Sequence, residues 1–203
     1  SATPGTAACQ GAVEGTSNAF GGGNAPNDNS GEMSYVQVRY SGYVIGEGNE
    51  LQSLTLVGVG NGTKISYLQS HASGDDGIEI FGGTVNMSHV VITEADDDSL
   101  DTDWGWSGGI QFGLIVRKTE SVKGVADSGS IFEWSAVDRQ PTSTPKVSNF
   151  TVYTTDPTLD SLVKVNQGTN ASIWNSVFVT APAGPNLKQS DVCFDISGTN
   201  TRI

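Results

Sequence analysis

The sequence predicts an all-β chain wound as a single-stranded, right-handed parallel β-helix. Three observations predict it. Two kinds of short strand alternate in fixed order, a Gly-Thr corner recurs between them, and no segment carries the period of an amphipathic helix. The first kind of strand opens on a small polar residue and continues with alternating apolar ones, at 34–38, 66–68, 88–92, 148–152 and 175–179. A further copy at 110–116 fills the long interval after 88–92. The second kind lies at 54–57, 78–81, 100–103, 131–134, 162–165 and 193–196. Corners fall at Gly62-Thr63, Gly83-Thr84, Gly168-Thr169 and Gly198-Thr199, where glycine tolerates positive φ and close backbone approach.

A unit of about 20–30 residues with two or three strands cannot bury its inner face alone, so the units stack, about 4.8 Å apart. The expected inward set is Val36, Val38, Leu68, Val90, Ile92, Phe150, Val152, Val177 and Val179. Ser34, Ser66, Ser88 and Ser148 form a hydroxyl ladder at a corner, continued by Asn175. A β-sandwich is the competing arrangement, but turns of the Asn-Gly hairpin type are scarce here. Residues 1–31, rich in Gly, Asn and Ser, read as a surface loop or extension, and 32–203 as about six to seven coils. The chain starts on Ser1, and its last corner places the next strand at Ile203, where the sequence stops. A longer solenoid, truncated on both sides or completed by another molecule, is therefore expected.

Of the 203 residues, 22 are Asp or Glu and 10 are Lys or Arg, a net charge of −12. That balance excludes a strong phosphate footprint, and with it nucleic-acid or anionic-membrane partners. No apolar run reaches the ~18 residues that a membrane span requires. Cys9 and Cys193 are compatible with an exported protein carrying one disulfide, and equally with two unpaired thiols.

The acid is concentrated in two turns, Gly74-Asp75-Asp76-Gly77-Ile78-Glu79 and Asp96-Asp97-Asp98-Ser99-Leu100-Asp101-Thr102-Asp103. Both have the same register, offset by 22 residues, so stacking sets Asp75 over Asp97, Asp76 over Asp98 and Glu79 over Asp101. Carboxylates ~5 Å apart raise one another's pKa unless a cation intervenes. Asp75, Asp76, Glu79, Asp97, Asp98, Asp101 and Asp103 are thus candidate ligands for Ca²⁺, which takes about 6–8 hard oxygens. A solvated acidic edge that blunts side-to-side association is the simpler alternative.

If the chain is an enzyme, Asp75, Asp76, Glu79, Asp97 and Asp101 are the acid–base candidates, because glycoside hydrolysis needs paired carboxyl groups. The stretch from Gly74 to Ile80 is similar to the Gly-Asp-Asp turn of polygalacturonases, but the Gly-His-Gly, Arg-x-Lys and Asn-Thr-Asp motifs of that family are missing. A calcium-dependent lyase needs a basic residue, for which Arg117 and Lys118 are candidates by adjacency in a neighbouring coil. His71 borders the first acidic turn as a possible proton carrier, ligand or plain polar corner. Trp104 and Trp106, at i and i+2, share one face of an extended segment and could bind a sugar ring there or pack between coils.

From 74 to 86, through 97–106 to 111–113, and upstream from Leu54 to Thr63, the chain resembles a family of exported bacterial β-helix proteins, described as surface lipoproteins or secreted solenoids. The resemblance implies export, a cell-surface or extracellular setting and calcium, and assigns no catalytic residue. The expected function is a non-enzymatic, calcium-stabilised structural or adhesive module that assembles end to end. A polysaccharide-active enzyme and a carbohydrate-binding module are the alternatives.

Overall fold

The structure, a computed structural model, describes residues 10–16, 20–46, 48–118, 129–136, 141–156, 158–180 and 192–203. Two parallel sheets organise it. The first runs through Glu32–Arg39, Lys64–His71, Asn86–Thr93, Gly109–Arg117 and Lys146–Thr154, ending on Ser172–Trp174 and Val177–Thr180. The second stacks Thr55–Val57, Ile78–Phe81, Leu100–Asp103, Ser130–Trp134, Ser161–Val165 and Val192–Ile196 in sequence order. Each strand pairs with its counterpart one coil away, always in parallel. That is a parallel β-helix, and it rules out the sandwich, whose sheets are antiparallel.

Each long strand bends at one residue held in the left-handed region: Tyr35, Tyr67, His89, Phe112, Asn149 and Asn175, with φ between 46 and 63°. Pairing skips these residues, so the bends stack. Non-glycine residues rarely adopt this conformation. Here the stack compensates, with Tyr35 on Tyr67 at 4.6 Å, Tyr67 on His89 at 4.5 Å and His89 on Phe112 at 5.0 Å. Asn175 Nδ2 then donates to Asn149 Oδ1.

Inward rows follow from the register. Val36, Leu68, Val90, Gly113 and Phe150 form one, and Val38, Ser70, Ile92, Ile115, Val152 and Phe178 another. Gly113 gives up its side chain to the neighbouring Phe150 ring, which a methyl group at Gly113 would overlap. In the last coil the expected register is off by one. Trp174, not Asn175, pairs with Ser148, because Asn175 occupies the bend position of Asn149. Phe178 therefore packs inward, while Val177 and Val179 are exposed, at 57% and 42%. The hydroxyl ladder joins Ser34 to Ser66 at 2.9 Å and continues to Ser88, but Gln111 interrupts it before Ser148.

Within residues 1–31 the chain is not wholly irregular. Gln10–Ala12 pairs antiparallel with Phe20–Gly22. Gly11 lies so close to the Trp104 ring, and Gly21 to Val57, that a methyl group at either would overlap those side chains. The hairpin thus packs against the second sheet. Cys193 is exposed and unbridged, while Cys9 lies outside the described residues.

Candidate metal centre

In the second sheet Ile78 and Ile80 enter the core, so strand alternation turns Glu79 to the opposite face. Register extends that position into a row: Thr55, Glu79, Asp101, Glu133, Lys164 and Asp195. Lys164 binds Glu133 at 2.8 Å, leaving the acidic end of the row at Glu79 and Asp101. The sequence carries a signal for this row, an apolar–charged–apolar triplet in the second-type strands from 78–80 onward except Leu100-Asp101-Thr102, since Glu133, Lys164 and Asp195 occupy the same place as Glu79.

The two acidic turns stack as their spacing predicts. Glu79 pairs with Asp101, the Asp98 amide donates to Asp76 Oδ1 at 2.9 Å, and the Gly77 amide to the Asp98 carbonyl at 2.9 Å. Carboxylate oxygens of Asp75, Asp76 and Asp97 lie within 4.8 Å of one another, as do those of Asp76, Glu79 and Asp101. Asp98 and Asp103 stand outside both groups, and Asp98 Oδ1 accepts the Ser130 amide.

This is an unusual place for carboxylates. Glu79 is only 4% exposed, and its Oε2 has no hydrogen-bond partner; nor has Asp101 Oδ1. Burial first, then the charges of Asp76 and Glu14, pushes the Glu79 pKa up to about 11. Burial is also the main cause holding Asp76, Asp98 and Asp101 well above the usual carboxylate range, with neighbouring acids adding to it. Such a site either keeps its protons or takes up positive charge in their place.

Other candidates sit elsewhere. Arg117 cannot serve as a base toward a substrate. It is 0% exposed, its Nε binds Asp156 at 2.6 Å, and its Nη1 donates to the Asp97 carbonyl. Lys118 lies over the Tyr153 ring, 5.8 Å from the centroid. His71 Nδ1 is 2.7 Å from Thr93 Oγ1 in the next coil, a polar rung of the stack. The two tryptophans do not share a face. Trp104 (φ 55°) and Gly105 (φ 85°) both turn left-handed, which breaks the extended geometry between them. Trp106 is fully buried and donates to the Val85 carbonyl at 3.1 Å, so it binds no ligand. Trp104 stays at the surface, packed on Phe81 with centroids 4.8 Å apart.

A cleft of about 550 Å³ follows the bend row, lined by Tyr35, Tyr67, His89 and Phe112, and does not include the acidic residues. Its stacked rings turn their faces to one another rather than to the cleft. Among the described residues no helix is long and apolar enough to cross a membrane.

Fold and site together define a parallel β-helix with a buried carboxylate cluster on the outer side of one sheet. The chain belongs to the pectate-lyase like β-helix domain family, whose profile matches residues 2–202. Searches of curated proteins and of solved structures gave no match.

Proposed function

We propose that this chain is a calcium-stabilised β-helix serving as an exported structural or adhesive module, outside the cell or at its surface. One observation carries the reading: Glu79, buried and in register with Asp101, has an unpartnered oxygen within a cluster of carboxylates. The donor set is all oxygen, which suits a hard cation such as Ca²⁺ over softer metals. Bound there, the cation supplies charge neutralisation between two coils. The repeated coil suits end-to-end association with like coils, of a longer chain or a second copy.

Melting of chelator-treated protein, with and without added Ca²⁺, tests the cation. A ligand that binds only the folded state stabilises it by about 4 kcal/mol at a thousand times its Kd, so Tm is expected to rise by several degrees. An unmoved midpoint would sink the reading.

Family membership favours one second reading, action on a polysaccharide with the same carboxylates as acid and base. A screen of acidic and neutral polysaccharides for new reducing ends or unsaturated products separates the two. The structural module is expected to release none. Product formation that Asp76→Asn abolishes, in a variant with unchanged circular dichroism, would establish the enzyme instead.

A further inference from the structure

We infer that the acidic turns form a two-cation centre in which Asp76 bridges one Ca²⁺ held with Asp75 and Asp97 and a second held with Glu79 and Asp101. This rests on the cation reading above and extends it to the number of ions and the division of their ligands.

Oxygens around a single Ca²⁺ lie within about 5 Å of one another, twice a Ca–O distance of about 2.3–2.6 Å. Asp75, Asp76 and Asp97 meet that limit as one group, and Asp76, Glu79 and Asp101 as another, each within 4.8 Å. The five do not form a single group, and Asp76 alone belongs to both. Two ions, one in each group, fit this division of the carboxylates better than one.

An independent observation marks the Glu79 position. Glu79 is 4% exposed, and its Oε2 lacks any hydrogen-bond partner, a costly arrangement for a polar atom. An ion confined to the group of Asp75 and Asp97 would leave that oxygen without a cation. Charge points the same way. Five ionised carboxylates around one divalent ion leave three negative charges, while a second ion leaves one.

The backbone holds the bridge in place. Asp76 Oδ1 accepts the Asp98 amide at 2.9 Å, and the Asp96 amide donates to the Ser73 carbonyl at 3.1 Å, fixing one turn upon the other. Arg117, its charge paired with Asp156, donates to the Asp97 carbonyl and pins that turn.

Isothermal titration of chelator-stripped protein with Ca²⁺ tests the inference directly on the unmodified chain. Two ions per chain are expected, in two separable steps. Glu79→Gln should abolish one step and keep the other, and Asp97→Asn should do the reverse. Asp76→Asn should weaken both by at least tenfold. Binding of one ion, lost alike in the Glu79→Gln and Asp97→Asn variants, would overturn the two-ion centre while leaving the cation reading intact. No binding at all would overturn both. Wild-type stoichiometry decides between one ion and two even if a variant fails to fold.

Discussion

Arg117→Ala is expected to destabilise the chain by about 3–5 kcal/mol, seen as a lower urea midpoint at unchanged slope. Arginine at an inward position of a solenoid strand is costly to desolvate, and here Arg117 has no exposure at all. Its Nε reaches Asp156 at 2.6 Å, and the same carboxylate also accepts the Thr158 amide at 2.8 Å. Truncation strands the buried Asp156 charge and removes the donor to the Asp97 carbonyl, loosening an acidic turn as well. Most of that cost belongs to the abandoned partner rather than to the attraction itself. The double variant Arg117→Met, Asp156→Leu should therefore recover much of the loss. A shift below about 1 kcal/mol for Arg117→Ala would mean that water reaches the pair, as at a surface salt bridge.

The second large effect is a reversed pH dependence. Chelated protein is expected to melt at a higher temperature near pH 5 than near pH 8.5. Glu79 has a folded pKa of about 11 against an ordinary value of 4.5, so between those values the folded state keeps a proton that the unfolded state has lost. Stability from that proton is complete below the ordinary value and drains away as pH rises toward the folded one. Asp76, Asp98 and Asp101, raised from 3.8 by burial and neighbouring charge, act in the same direction. Added Ca²⁺ should offset the loss most at the alkaline end, where the carboxylates are easiest to deprotonate for binding. A chelated protein whose Tm climbs from pH 5 to 8.5 would show that these acids are ionised and solvated in the folded chain.

Most of the architecture is legible in the sequence because a solenoid repeats its local rules. All six second-type strands appear where the apolar alternation places them, and the 22-residue offset of the acidic turns becomes the pairing of Glu79 with Asp101. What escapes the sequence is of three physical kinds. Non-glycine residues in the left-handed region break alternation with no residue type to announce them. Asn175 shifts the last coil by one, and Trp104 sends Trp106 into the core. Contacts between coils join residues with no fixed spacing, as for Arg117 and Asp156, so nothing local marks a buried ion pair. The N-terminal hairpin has strands of three residues, too short for any period, and it is placed by packing on Val57 and Trp104.

The stacked bends have an evolutionary consequence. Because Ser66 pairs with Ser88 and the residues on either side keep step, excision of residues 67–88 would remove one whole turn of the solenoid. The ends would rejoin in phase, with His89 meeting Tyr35, Val90 meeting Val36 and Ile92 meeting Val38. A gene encoding such a chain can lengthen or shorten by duplication or deletion without designing a new junction. The same excision would erase Asp75, Asp76 and Glu79 together. Length can thus change by whole turns in such a fold, while the proposed cation site is confined to one pair of neighbouring turns and would be lost or kept as a unit.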